Sequence, residues 1–177
     1  TDRLRRALVV KLRHHGDVLL TSPVFSVLKD FAPQCEIDAL VYADTAPMLE
    51  GHPAIENIHV IERGQRGIAQ LGSEWRLLDA LRARRYDLVV NLTEHRRGAW
   101  MTRLLSPQWS VAPNVAGRGG FWHGSFTHHY HLDKTGRRHA VEYNLDALRV
   151  LGLHPAPEQR RLTLVPGVDA ERRITEL

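Results

Sequence analysis

Only one cysteine, Cys35, stands among the 177 residues of the chain. A single thiol excludes an internal disulfide framework and fits a reducing compartment. At the head of an apolar run it reads as a small buried residue rather than a nucleophile. Long apolar runs are missing too. No stretch approaches the roughly 20 apolar residues of a membrane helix, and "TDRLRRALVV" is too short in apolar residues for a signal peptide, so a soluble protein is expected. The G-x-x-x-x-G-K-[ST] phosphate loop is absent, and the turn after the first apolar run has no G-x-G-x-x-G. P-loop hydrolases and ordinary dinucleotide dehydrogenases lose support accordingly. "GRGG" at 117–120 comes too late in the chain and is expected to precede no helix. "HHYH" at 128–131 puts His129 and His131 on one strand face without an obvious third ligand, which fits a polar strand better than a zinc site. A nucleic-acid groove would interleave aromatics with basic residues; only Phe121, Trp122 and Tyr130 offer this, so no nucleic-acid partner is expected.

What is present describes an ordinary globular protein, 43% hydrophobic and 25% charged, long enough for one well-cored domain and short for two. A net charge of +4, a pI near 9.6 and 11 histidines favour an anionic partner. Strand-like and helix-like runs alternate. Strands are expected at "ALVVKL" (7–12), "EIDALVY" (36–42), "NIHVIE" (57–62), "YDLVVNL" (86–92), "WSVAP" (109–113) and "THHYHLD" (127–133). Helices are expected over 22–32 behind Ser22 and Pro23, over a short "DTAPMLEG", over 73–85, around "RRGAWMTRLL", and over 138–153 with Gly152 as its stop. Segment 114–126 reads as a glycine-rich loop. "HPAPEQRRLTLVPG" reads as a linker with one short apolar strand, and 169–177 as a helix start capped by Asp169. Repeated strand–helix–strand units need crossover helices, which makes the class α/β, a doubly wound, mostly parallel sheet.

Ligands of such sheets bind outside the carboxyl ends of the strands. The first strand runs into Arg13-His14-His15-Gly16-Asp17, the third into Arg63-Gly64-Gln65-Arg66, the fourth into Thr93-Glu94-His95-Arg96-Arg97, and the fifth leads to Arg118 and Trp122. Arginine at one edge four times suggests a rim for phosphate oxygens, against the plainer reading of exposed loops. Arg76, Arg82, Arg84 and Arg85 read as a solvated helix face. Asp17, on a glycine turn beside two histidines, is placed to take a proton from a hydroxyl; a cap aspartate bonding the amides of the following helix is about as good a reading of the residues alone. His14 and His15 either orient substrate or are surface residues.

"ALVVKLRHHGDVLLTSPVFSVLK" closely resembles the opening of the bacterial lipopolysaccharide heptosyltransferases, with "RHHGDVLLT" most like the core heptosyltransferase III branch. "RARRYDLVVNL" and "HAVEYNLDALRVLGL" resemble later segments in the same order. The resemblance implies the N-terminal half of a GT-B glycosyltransferase with Rossmann-like domains, acting at the cytoplasmic face of the inner membrane, with peripheral membrane association allowed. The reaction implied is inverting, metal-independent transfer of heptose from ADP-heptose, with no cofactor, to a phosphorylated heptose-Kdo-lipid A acceptor in the lipopolysaccharide inner core. Asp17 takes the position of the family's general base. Arg13, His14, His15, Gly16, Thr21, Arg63, Arg66, Glu94, His95, Arg96, Arg97, Arg118 and Trp122 are the expected acceptor contacts. Residues 1–153 would form the acceptor-binding domain and 154–177 the linker and start of an ADP-heptose-binding domain, so this chain alone should be nearly inactive. Two rivals remain: a non-catalytic domain that captures a phosphorylated ligand on the basic rim, and a complete single-domain nucleotide-binding enzyme, which tight ADP binding would reveal.

Overall fold

The computed structural model describes residues 4–63, 68–132 and 138–166. Six strands, β1 (Arg6–Val10), β2 (Glu36–Tyr42), β3 (Asn57–Ile61), β4 (Leu88–Asn91), β5 (Trp109–Asn114) and β6 (His128–His131), form one sheet in the order β3-β2-β1-β4-β5-β6. Every neighbouring pair is parallel. The α/β expectation holds, and the sheet is a Rossmann-like one that runs outward from β1, returns, and runs outward again on the other side.

Side chains of successive strand residues leave opposite faces, and the two cores follow that alternation. Ala7, Val9, Ile37, Ala39, Val41, Leu88 and Val90 pack with helices α2 (Ser22–Phe31) and α6 (Ala140–Arg149). Leu8, Val10, Leu40, Ile61 and Val89 face α3 (Ile68–Arg84) and α4 (Arg96–Leu105) on the other side. Cys35 is 1% exposed, and burial pushes its thiol up to about 11. Helix α6 ends as expected at Gly152, whose φ of +83° lets the amides of Gly152 and Leu153 close back on the carbonyls of Arg149 and Leu148 at 2.9 and 3.0 Å. Gly98 has a different task. A Cβ there would lie 2.5 Å from Asn91 Oδ1, so only glycine lets α4 approach the end of β4 this closely.

Several expectations need correction. The stretch after β1 is a short helix, α1 (His15–Leu19), because the His14 carbonyl accepts the Val18 amide at 3.0 Å. Gly16 has no positive φ and no nearby atom that a Cβ would meet, so the turn does not depend on glycine. "GRGG" does lead into a helix, α5 (Gly119–His123), which buries Trp122. Among its described residues the linker forms no strand: after a 3-10 turn at Pro157–Arg160 it is tied to α2 by the Thr163 amide on Ser22 Oγ at 2.9 Å, and Leu162, Leu164 and Val165 stay exposed. Asp169 and the helix start at 169–177 lie outside the described residues, as do Gly64, Gln65 and Arg66.

Arg84 is not part of a solvated face. It donates to the fully buried Asp38 through Nε at 2.9 Å and Nη2 at 3.2 Å and pairs with Glu36 at 2.9 Å. Tyr86 Oη donates to the same carboxylate at 2.6 Å, and Asn57 adds its amide and its Nδ2 at 3.1 and 3.0 Å, with His59 Nε2 at 3.4 Å. Burial pushes the Asp38 carboxyl up, but the hydrogen bonds from His59, Tyr86, Arg84 and Asn57 prevail and hold it well below the usual carboxylate range. This cluster braces the amino-terminal edge of the sheet, where β2, β3 and the end of α3 meet.

Candidate active site at the strand-order switch

Between β1 and β4 the strand order reverses, because α1 and α2 carry the chain to one side of β1 while α4 departs from the other. In an open parallel sheet the crevice for a ligand is expected outside the carboxyl ends of such a strand pair, where the flanking loops diverge. Lys11 stands there, directly after β1. Its Nζ donates to the Leu92 carbonyl at 3.1 Å and to Asn144 Oδ1 of α6 at 3.4 Å, and Asn144 Nδ2 in turn donates to the Leu20 carbonyl at 2.9 Å. Burial lowers the ammonium to about 8; the negative charge of Asp17 works against that shift, Arg13 adds to it, and Glu94 opposes it again.

Asp17 lies in the first turn of α1 with 35% of its side chain exposed and Arg13 Nε at 3.8 Å. His14 is the N-cap of α1 and Thr21 that of α2, and neither helix start has a side-chain cap bond. The cap reading of Asp17 therefore fails: its carboxylate is open to the crevice. Arg13 also offers its carbonyl to Arg63 Nη2 at 2.7 Å. Arg63 pairs with Asp44 at 3.2 Å and lies over the Tyr42 ring at 4.0 Å. Lys11, Arg13, Asp17 and Arg63 thus form one neighbourhood, with half-buried Glu94 bearing on Lys11 from the end of β4.

The remaining expected contacts divide. His14 and His15 are exposed beside Asp17. His95 caps α4, its Nδ1 accepting the Arg97 amide at 3.2 Å, and Arg96 is exposed at that helix start. Arg97 turns away into an ion pair with Glu74 of α3. Arg118 lies 5.9 Å from the Trp122 ring, farther along the sheet. Thr21 is 0% exposed and its hydroxyl donates to the Val18 carbonyl at 2.6 Å, so it ties α1 to α2 and is not a surface contact. Trp122, 1% exposed, donates from Nε1 to the Pro113 carbonyl at 3.0 Å and belongs to the core. Arg63, Arg97 and Arg118 thus engage different neighbours, Asp44, Glu74 and the Trp122 ring. Among the described residues no group of three or more His, Cys, Asp or Glu side chains is placed to hold a metal ion.

The crevice pairs an open carboxylate with a buried lysine, which suits proton transfer from a hydroxyl beside an anionic group. Comparison with known proteins gives this chain relatives. The chain is 36% identical over 158 residues to lipopolysaccharide heptosyltransferase 3 of Escherichia coli, covering 88% of this chain and 46% of that one. A second such enzyme, from Escherichia coli strain K12, is 38% identical over 144 residues, covering 80% and 41%. Most of this chain is thus similar to lipopolysaccharide heptosyltransferases. It spans less than half the length of these two heptosyltransferases. No family model matches it. Among solved structures, the glycosyl transferase family 9 protein of Veillonella parvula superposes with a TM-score of 0.80 at 21% identity, over 97% of this chain and 48% of that one. Escherichia coli heptosyltransferase WaaC with ADP-2-deoxy-2-fluoro heptose gives 0.72 at 23%, over 86% and 50%. Escherichia coli ADP-heptose lps heptosyltransferase II gives 0.70 at 20%, over 96% and 49%. At such identities these structures establish the shared fold.

Lys11 and Asn144 were not among the expected site residues. Lys11 reads from sequence as the tail of a buried strand, although a lysine in an apolar run is itself the anomaly that marks it. Asn144 had no sequence signal, because it reaches the crevice from a helix 133 residues away from Lys11.

Proposed function

We propose that this chain is the acceptor-binding half of a glycosyltransferase that moves heptose from ADP-heptose to a heptose of the lipopolysaccharide inner core, at the cytoplasmic face of the inner membrane. Residues 1–153 form that half, and 154–177 lead towards a donor-binding domain. The observation that carries the reading is the Asp17 carboxylate, a third exposed and making no cap bond, at the strand-order switch of a chain similar to heptosyltransferases.

In the proposed step the acceptor hydroxyl oxygen bonds to the anomeric carbon of the donor as its proton passes to Asp17. The bond from that carbon to ADP breaks at the same time, and its electron pair leaves on the phosphate oxygen, which inverts the centre without a metal. Lys11 contributes a positive charge at the end of β1, held there by the Leu92 carbonyl and Asn144. Arg13, exposed beside Asp17, suits an acceptor bearing phosphates. ADP is stabilised by the other half of the enzyme, so this chain alone binds ADP weakly and transfers little.

A transfer assay on the complete enzyme tests the base. Asp17→Asn preserves shape and removes the proton acceptor, and turnover should fall by ~10²–10⁴-fold with the melting temperature unchanged. Near-normal turnover would remove Asp17 from the mechanism. A passive phosphate-binding rim finds less support, since Arg63 and Arg97 already have carboxylate partners in Asp44 and Glu74.

A further inference from the structure

The face built by α3 and α4 exposes large apolar side chains, among them Trp100, whose ring meets Phe121 of α5 with centroids 4.7 Å apart. Trp75 is 61% exposed, Trp100 56% and Leu104 41%. With Ile61, Leu78 and Met101 they line a groove of about 300 Å³ between the two helices. Polar ties fix it at both ends: Arg97 of α4 pairs with Glu74 of α3, and Arg82 of α3 donates to the Leu104 carbonyl of α4 at 3.2 Å. The indoles are therefore held apart on a braced surface.

Positive charge surrounds this strip. Helix α4 carries three arginines and no acidic residue. Arg96 and Arg103 lie within one turn of Trp100, Arg103 reaching over the Phe121 ring at 5.0 Å with Nη2 on the Gly124 carbonyl at 3.4 Å, and exposed Arg76 follows Trp75 in the chain, its Nε bonded to the Gly72 carbonyl at 3.2 Å. Of the acidic groups on the facing side of α3, Glu74 is engaged by Arg97, which leaves Asp79. Indoles flanked by guanidinium groups match a bilayer interface, where rings settle at headgroup level and arginines meet lipid phosphates. A protein partner fits less well: nine residues line the groove, against about 20–30 a side in a stable protein interface.

We propose that the Trp75–Trp100 face docks on an anionic lipid bilayer, with both indoles in the headgroup layer and Arg76, Arg96 and Arg103 on lipid phosphates. The inference deepens the functional reading and rests on it for its purpose, since an acceptor anchored in lipid has to be met at the lipid surface. Arg97 follows the carboxyl edge of the sheet by way of β4, so a bilayer on this face would lie beside the edge that holds the crevice.

Vesicle binding tests it with this chain, neither donor nor acceptor being present. The protein is mixed with phosphatidylcholine vesicles, with or without half phosphatidylglycerol, and binding is read by co-sedimentation and by the shift of tryptophan emission. Wild type should partition onto the anionic vesicles with a blue shift, and release as salt rises. The double variant Trp75→Ala, Trp100→Ala should partition about tenfold less or worse. Arg76→Gln and Arg103→Gln together should lose about fivefold per arginine on anionic vesicles only. Because these side chains are exposed, circular dichroism should show every variant folded. Failure of wild type to bind anionic vesicles overturns the proposal, and so does equal binding of wild type and the tryptophan variant. Self-association that the tryptophan variant abolishes, without vesicle binding, also overturns it and makes the face a contact between copies. None of these outcomes alters the Asp17 transfer assay, whose failure would in turn leave the docking result standing.

Discussion

Asp38 at the amino-terminal edge of the sheet accepts hydrogen bonds from an arginine, a tyrosine and an asparagine and has no exposed surface. Asp17 at the carboxyl edge has an arginine at 3.8 Å, no cap to make, and a third of its side chain in solvent. Both are acidic residues beside arginine on one small sheet. The difference lies in completion. A carboxylate whose lone pairs are all engaged by the fold has nothing left to offer a ligand, whereas one left open represents binding capacity that the fold has not used. The same contrast holds for the cations: Arg84 is shared between Asp38 and Glu36, while Lys11 meets two neutral oxygens and feels its carboxylates only at a distance.

Substitutions at the two edges should therefore behave in opposite ways. The largest effect is expected for Asp38→Ala, which strands Arg84 and the Tyr86 hydroxyl: about 3–5 kcal/mol lost in urea unfolding, with the wild type recovered by no change of salt. The depressed carboxyl of Asp38 also gives a sign. Its contribution is present above the unfolded-state value of about 4 and is lost as pH falls through the lower folded value, so wild type should weaken below pH 4 more steeply than an Asp38→Asn variant. A matching acid profile would place the sensitivity elsewhere.

Lys11→Met sharpens the comparison from the other edge. The folded ammonium titrates at about 8 and the unfolded one at 10.5, so the unfolded chain binds more protons in between. Wild-type stability should rise from pH 8 to 10.5 relative to the variant, by an amount on the order of 3 kcal/mol, and that rise is absent in Lys11→Met. Parallel stability curves for the two proteins would contradict the buried, charged lysine. The smallest effect belongs to Asp17→Ala. Lacking a cap to break, it should change stability by less than about 0.5 kcal/mol, where loss of a true cap would cost about 1 kcal/mol.

The sequence shows the fold more fully than the site. Alternating apolar runs place every strand to within a few residues, and Gly152 marks its helix end, because those signals are local. The short helices at His15–Leu19 and Gly119–His123 escape it, since one turn of helix leaves no periodicity to read. Asp17 stands out through its motif and its position after the first strand. Arg84 and Trp122 mislead for a common reason: partners 46 residues away at Asp38 and 9 away at Pro113 take up side chains that residue type alone assigns to the surface. Asn144 is invisible for want of any local signal.

The strand order has a consequence for how the protein is made. β1 precedes the other five strands in the chain and shares the centre of the sheet with β4, yet its neighbours on either side begin at residues 36 and 88. No hairpin is available to hold it meanwhile, and parallel pairing must wait for each crossover to be synthesised. The contact between Lys11 and Asn144 closes only once α6 has emerged. Until residue 88 has emerged the nascent chain therefore carries one edge of this buried strand unpaired, which is the interval when chaperones and aggregation compete for it.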